Sequence, residues 1–253
     1  MGSQIPSPPL RLAILMCDTP LPGTVAKLKD YGGVFTDLFR RAVAPQPLES
    51  ALSITTYHVR DAPDSYPSLD EVDALLITGS KHSAYDDDPW ILKLVEYVRG
   101  ALDSGRVRVV GVCFGHQIVG RALGSKVQLN PRGWELSVTE IQCSPKGREL
   151  FGTDKLRIHQ MHRDIVTSYP AGAVPLAETD VCPVQGMLIP GKAITVQGHP
   201  EFTESIVREI LDARHKVAVI GDDLYESGID RVDKEHDGVK IAQAFLRFMR
   251  GEE

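Results

Sequence analysis

Cysteine is scarce in this 253-residue chain: Cys17, Cys113, Cys143 and Cys182 are widely spaced and form no C-x-x-C pair. A disulfide framework and a zinc-ribbon spacing are therefore excluded, and reduced thiols are expected. Basic charge is also short. Lys and Arg number 28 against 34 Asp and Glu, a formal net charge of -6, which leaves no overall electrostatic footprint for nucleic acid or an anionic membrane. No apolar run reaches the roughly 18 to 20 residues that span a bilayer, and the opening "MGSQIPSPPLR" lacks the apolar stretch of a secretory signal. Internal repeats are missing, as are low-complexity tracts beyond the proline-rich residues 1-9, for which disorder is expected. The expectation is a cytoplasmic protein that acts on a small molecule, with neither nucleic acid nor membrane as partner. What is present is an ordinary 42% hydrophobic share, enough to bury a sizeable core in a single domain over 1-253.

The first half alternates short β-rich runs with helix-length amphipathic segments. "LRLAILMC", "ALSITTYHV", "VDALLITGS" and "VRVVGVCF" read as strands, and 24-43 and "PWILKLVEYVRGALDSG" as helices. Continuous apolar strands separated by helices predict a mostly parallel, doubly wound α/β sheet covered on both faces. "DDDPW" (Asp86 to Trp90) reads as a helix start, because acidic residues and a proline suit the first turn; a metal site is the less economical reading. From Ser125 to Thr195 the texture changes to short β segments, "SKVQLN" among them, which predict further strands on the same sheet with an antiparallel portion. A helix is expected at 203-219, a polar loop or irregular helix after Gly221, and a last helix over "GVKIAQAFLRFM", so that 221-253 reads as a C-terminal loop and helix.

Chemistry concentrates in two stretches. In "GVCFGHQ", Gly111, Cys113 and Gly115 form G-x-C-x-G where a strand passes into a helix, the cysteine form of the nucleophile elbow. Such a turn lifts the side chain above the sheet and turns helix N-H groups, that of Phe114 first, toward it. A glycine-flanked thiol can equally be a small buried hydrophobe, and the elbow alone leaves both readings open. A thiol nucleophile needs a histidine base and an orienting group. "ITVQGHPEF" offers His199 and Glu201 at the end of an apolar strand, where active sites of open α/β sheets gather; read alone, it is also a plausible polar surface turn.

Together these stretches resemble the class I glutamine amidotransferases, whose Cys, His and Glu sit in a G-x-C-x-G-x-Q elbow and an H-P-E motif. The resemblance spans roughly 70 to 205, and it implies a flavodoxin-like sheet with an added antiparallel portion. It implies a triad of Cys113, His199 and Glu201, with Gln117 completing the elbow motif as a substrate contact. "LLITGS" falls at the family's oxyanion loop, assigning backbone donation to Gly79 and Ser80 beside Phe114. Ser80 and Lys81 replace Gly-Pro there, which is compatible with donation unless φ must be positive. "MHRDIV" resembles the segment bordering the glutamine head, which assigns His162 and Asp164 to substrate binding. "RGWELSV" resembles a segment beside the pocket, where Trp134 is read as packing. His159 and His162 form H-x-x-H, but on a strand they face opposite sides, which argues against a metal pair. The remaining cysteines are read as structural.

The activity so implied is hydrolysis of glutamine to glutamate and ammonia through a γ-glutamyl thioester, with no metal or cofactor. Ammonia would pass to a separate synthase, since after Glu201 the chain reads only as helix and loop. The chain also resembles plant γ-glutamyl peptidases through "GVCFGHQI" and "VQGHPEF", so glutathione or its conjugates are an alternative substrate. A catalytically silent binding or regulatory protein on the same fold is the second alternative.

Overall fold

The computed structural model describes residues 8–252, and residues 1–7 of the proline-rich opening lie outside that range. The first elements along the chain are β1 (Leu10–Met16), α1 (Pro22–Leu28), α2 (Tyr31–Val43), β2 (Leu52–His58), β3 (Ala74–Ile77), α3 (Pro89–Ser104), β4 (Arg108–Val112) and α4 (Phe114–Ala122). The middle of the chain holds β5 (Val127–Leu129), β6 (Glu135–Cys143), α5 (Pro145–Phe151), β7 (Lys155–His162), β8 (Asp164–Val166), β9 (Val174–Glu178), β10 (Gly186–Ile189) and β11 (Ala193–Val196). The chain closes with α6 (Glu204–Lys216), α7 (Asp222–Ile229) and α8 (Gly238–Arg250).

Nine strands form one sheet in the order β2-β1-β3-β4-β11-β10-β9-β6-β7. Pairing is parallel from β2 to β11 and antiparallel from β11 to β7. The expected flavodoxin-like core with an antiparallel addition is therefore what the chain builds. Strand periodicity explains the double cover. Leu12, Ile14 and Met16 of β1 pack with Phe35 and Phe39 of α2 and Phe245 and Phe248 of α8, while Ala13 and Leu15 pack with Leu94 and Val98 of α3 and Ile118 of α4. A third cluster seats α6, through Ile206, Val207 and Leu211, against Leu136 of β6 and Met161 of β7.

The structure departs from the sequence reading in four places. The helix expected over 24-43 is two helices: Lys29 takes a φ of 72° and the Asp30 side chain accepts from the Gly33 N-H at 2.9 Å, so one helix ends and another is capped. "SKVQLN" does not join the main sheet: among the described residues β5 pairs only with β8, in a separate antiparallel ribbon. Helix α5, unexpected among the β segments, starts at Pro145, with the Ser144 hydroxyl accepting from the Gly147 N-H at 3.0 Å. The segment after Gly221 contains the regular helix α7, with Asp222 and Asp223 in its first turn.

Candidate active site

Three adjacent parallel strands deliver the site. Cys113 directly follows β4, Gly79 and Ser80 follow β3 on one side, and His199 follows β11 on the other. The Cys113 N-H donates to the Val196 carbonyl at 3.0 Å, tying the elbow to the strand that carries the histidine. The antiparallel half also reaches this edge, since the His199 N-H donates to the His159 carbonyl of β7 at 2.7 Å.

Cys113 has φ 53° and ψ -104°, the strained turn expected of an elbow. A non-glycine residue held there costs on the order of 1–3 kcal/mol, which the surrounding packing must offset. The flanking glycines are required by backbone approach. A Cβ at Gly115 would lie 2.2 Å from the Ile77 carbonyl oxygen, and one at Gly111 would lie 2.7 Å from that of Gly115. At Gly79 a Cβ would fall 2.7 Å from Cε1 of His199, so the imidazole sits directly against this loop.

His199 and Glu201 are both buried, and Nδ1 of His199 lies 2.8 Å from Oε1 of Glu201. The imidazole also stacks on Phe202, with ring centroids 3.9 Å apart and an interplanar angle of 4°. Burial opposes the charged imidazole, but the Glu201 carboxylate and the Cys113 sulfur, which hydrogen-bonds to the ring, outweigh it and push His199 up to about 10. The cysteine, histidine and carboxylate singled out in the sequence thus form one connected array.

Neither Gly79 nor Ser80 takes a positive φ, so the serine in place of glycine is compatible with this loop. Their backbone N-H groups have no acceptor among the described residues. The Ser80 hydroxyl instead donates to the Cys17 carbonyl at 3.0 Å. The Phe114 N-H opens α4, where the helix itself supplies no acceptor.

Two recesses flank Cys113 and His199 and share Ser80, Lys81, Met161 and Arg214 as walls. The smaller, about 70 Å³, is lined by Cys113, Gln117, Trp134, His162 and Asp164. Here Gln117 is buried rather than solvated, its Nε2 donating to the Asp164 carbonyl at 2.9 Å and to Gln197 Oε1 at 3.1 Å. The Asp164 carboxylate accepts from the Ser83 hydroxyl on one oxygen, and its other oxygen is buried without a partner. His162 borders the recess, but both its nitrogens face the protein: Nε2 lies 3.1 Å from Oε2 of Glu135 and Nδ1 lies 3.2 Å from the Asp164 carbonyl. His159 is engaged elsewhere, its ring on that of His236. The larger recess, about 260 Å³, is lined by His199, Gly79, Tyr31, Leu21, Phe202 and Ile210 among others.

Arg214 had no signal in the sequence, whereas Glu135 and Phe202 lie in the segments "RGWELSV" and "ITVQGHPEF" with no role assigned to them there. Trp134, read there as packing, does pack, but against the guanidinium groups of Arg163 and Arg214 at the wall of the smaller recess. The buried trio Glu135, His162 and Cys182 brings one ligand atom from each residue within 4.8 Å of the others. The Glu135 oxygens already accept from Thr179 and Gln185.

The fold agrees with the comparisons to known proteins. Residues 27–216 match the family model described as glutamine amidotransferase class-I, and the chain belongs to that family. A glutamine amidotransferase-like protein of Schizosaccharomyces pombe is 34% identical over 242 residues, covering 94% of this chain and 98% of the relative. Gamma-glutamyl peptidase 2 of Arabidopsis thaliana is 30% identical over 188 residues, covering 72% of this chain and 75% of the relative. Among solved structures, a glutamine amidotransferase of Thermotoga maritima superposes with a TM-score of 0.74 at 18% identity, covering 95% and 98% of the two chains; this likeness concerns the fold. Among the described residues no helix is long and apolar enough to cross a membrane.

Proposed function

We propose that the chain is a cysteine-dependent hydrolase of γ-glutamyl amides that converts glutamine to glutamate and ammonia. The carrying observation is the connected array of Cys113, His199 and Glu201 beneath unengaged backbone N-H groups. The Cys113 thiolate attacks the side-chain amide carbon, and the N-H groups of Phe114, Gly79 and Ser80 receive the oxyanion. His199 holds the thiol proton and gives it to the leaving nitrogen, leaving a γ-glutamyl thioester. It then takes a proton from water as hydroxide adds to the thioester, and glutamate departs with return of the thiol. Glu201 keeps the imidazole oriented.

The substrate head is assigned to the smaller recess, which is lined by Gln117, His162 and Asp164. The unpartnered Asp164 oxygen suits an α-ammonium group. Gln117 fixes the backbone of Asp164, and His162, held against Glu135, shapes the wall. Ammonia acceptance by a separate synthase is part of this reading. Replacing Cys113 with Ser or Ala is expected to abolish glutamate release from glutamine; unchanged turnover defeats the proposal. A silent binding protein is disfavoured by the intact array, and it would gain ground if diazo-oxo-norleucine failed to label Cys113.

A second reading, hydrolysis of γ-glutamyl peptides such as glutathione or its conjugates, is favoured by one observation. The recess beside His199 is about 260 Å³, whereas a molecule of water's size, such as ammonia, needs a cavity of only about 10–15 Å³. The name of the Arabidopsis relative is consistent with this reading. Assaying glutamine and γ-glutamyl dipeptides side by side separates the two.

A further inference from the structure

Arg214, on the inner side of α6, lines both recesses. Its guanidinium sits 4.8 Å from the centroid of the Trp134 ring, and its Nη1 is buried with no hydrogen-bond partner. No described carboxylate forms an ion pair with it. Asp18, the acidic residue on the wall of the larger recess, is taken by Arg60 and by the Lys81 N-H at 2.9 Å. A second cation, Arg163, lies 5.3 Å from the same indole ring. Burial and the charge of Arg163 work against the Arg214 cation, while Cys113, Tyr31 and Asp18 favour it, and an arginine stays charged in such surroundings. A desolvated guanidinium with an unused N-H is costly unless an anion completes it.

The position of the recesses says which anion. If Cys113 attacks the γ-carbonyl, the glutamyl head lies on the Gln117 and Asp164 side. The leaving nitrogen must face His199, which protonates it. The larger recess is lined by His199, by the apolar side chains of Leu21, Phe202 and Ile210, and by Arg214.

We propose that Arg214 is a specificity-determining residue for the leaving group. It receives the carboxylate of a released amino acid, so the chain prefers a γ-glutamyl-amino acid with an apolar side chain to a neutral γ-glutamyl amide. This rests on the second reading of the proposed function, hydrolysis of γ-glutamyl peptides. The bond broken is the γ-amide C–N; the amino acid leaves with a proton from His199, and water supplies the hydroxyl of the glutamate formed. The apolar walls take the side chain, while guanidinium and carboxylate pair through charge-assisted hydrogen bonds.

The test uses γ-glutamyl-leucine and γ-glutamyl-leucinamide, which differ only in the carboxylate. Binding is measured by calorimetry on the full chain carrying Cys113→Ser, where no turnover interferes. The carboxylate form is expected to bind about 10- to 100-fold more tightly, as charge-assisted hydrogen bonds of this kind predict. Adding Arg214→Gln should bring the ratio near one, and Arg214→Lys should recover part of it. In the unmodified chain the same ratio should appear in kcat/KM, carried by KM. Equal binding of the pair, which needs no variant of Arg214, overturns the proposal, as does a preference that survives Arg214→Gln. Discrimination in binding without hydrolysis of either compound would instead sink the hydrolase reading and leave the anchor standing.

Discussion

At the scale of single residues, Glu201 is the residue through which the array can be tested most directly. Its Oε1 holds Nδ1 of His199, its Oε2 has no partner, and both groups are buried. Glu201→Gln keeps the shape but removes the charge that does most to hold the imidazolium. The His199 pKa is therefore expected to fall from about 10 toward its ordinary 6.5, as followed by imidazole NMR. Glutamate release should drop by up to about 10⁴-fold, the loss seen when the orienting carboxylate of a triad is neutralised. A pKa that stays high would mean that Cys113 alone holds the proton in place. Cys113, His199 and Glu201 were legible in the sequence because each sits in a short motif whose residue types have no cheaper joint explanation. Arg214 was not legible: in "VREILDARHK" it is one of several cations along a helix whose last turn favours positive charge anyway. Only the packing of α6 against β6 and β7 turns that one guanidinium inward.

At the scale of elements, two glycines separate a site constraint from ordinary helix propensity. Gly115 lies in α4 with the Ile77 carbonyl oxygen 2.2 Å from any added Cβ, whereas Gly100 lies on the exposed side of α3 with nothing within 4 Å. The same substitution should therefore have opposite signs. Gly100→Ala is expected to stabilise by about 0.5–1 kcal/mol through helix propensity. Gly115→Ala forces β3 and α4 apart and should cost about 1–3 kcal/mol or more. Denaturant midpoints of the two variants check this, and a neutral Gly115→Ala would show that the β3–α4 contact yields easily. The central strands were readable because burial on both faces demands uninterrupted apolar runs. The misread elements are those with local signals that the periodicity overrode. Asp30 caps α2 inside an apparently continuous helix, and Ser144, Pro145 and Gly152 bracket α5 in a stretch dominated by β texture. The separation of β5 from the main sheet is a tertiary pairing that strand patterning does not encode.

At the scale of the whole molecule, buried histidines bend the stability curve in opposite directions. His116 and His159 are pushed down to about 3, chiefly by burial, with the neighbouring His162 adding to the effect on the first and His236 and His199 to that on the second. The unfolded chain takes up protons below about 6.5 that these folded sites refuse, so stability is lost as the pH falls from about 6.5 toward 3. His199 works the other way. Its folded value of about 10 exceeds the ordinary 6.5, so the folded chain binds its proton more tightly. That contribution is complete below about 6.5 and is lost as the pH rises through about 10. Within its window each group tilts the unfolding free energy by up to about 1.4 kcal/mol per pH unit. Stability measured by urea unfolding should therefore peak close to neutrality, with limbs of separate origin. His116→Asn should flatten the acid limb while leaving the alkaline one, and His199→Asn should flatten the loss between about 6.5 and 8.5, below the range where the buried thiols of Cys143 and Cys182 add to it, and ease the acid limb slightly through His159. A slope between about 6.5 and 8.5 that His199→Asn leaves unchanged would show that the array around Cys113 does not retain a proton, and the mechanism would then need another donor for the leaving nitrogen.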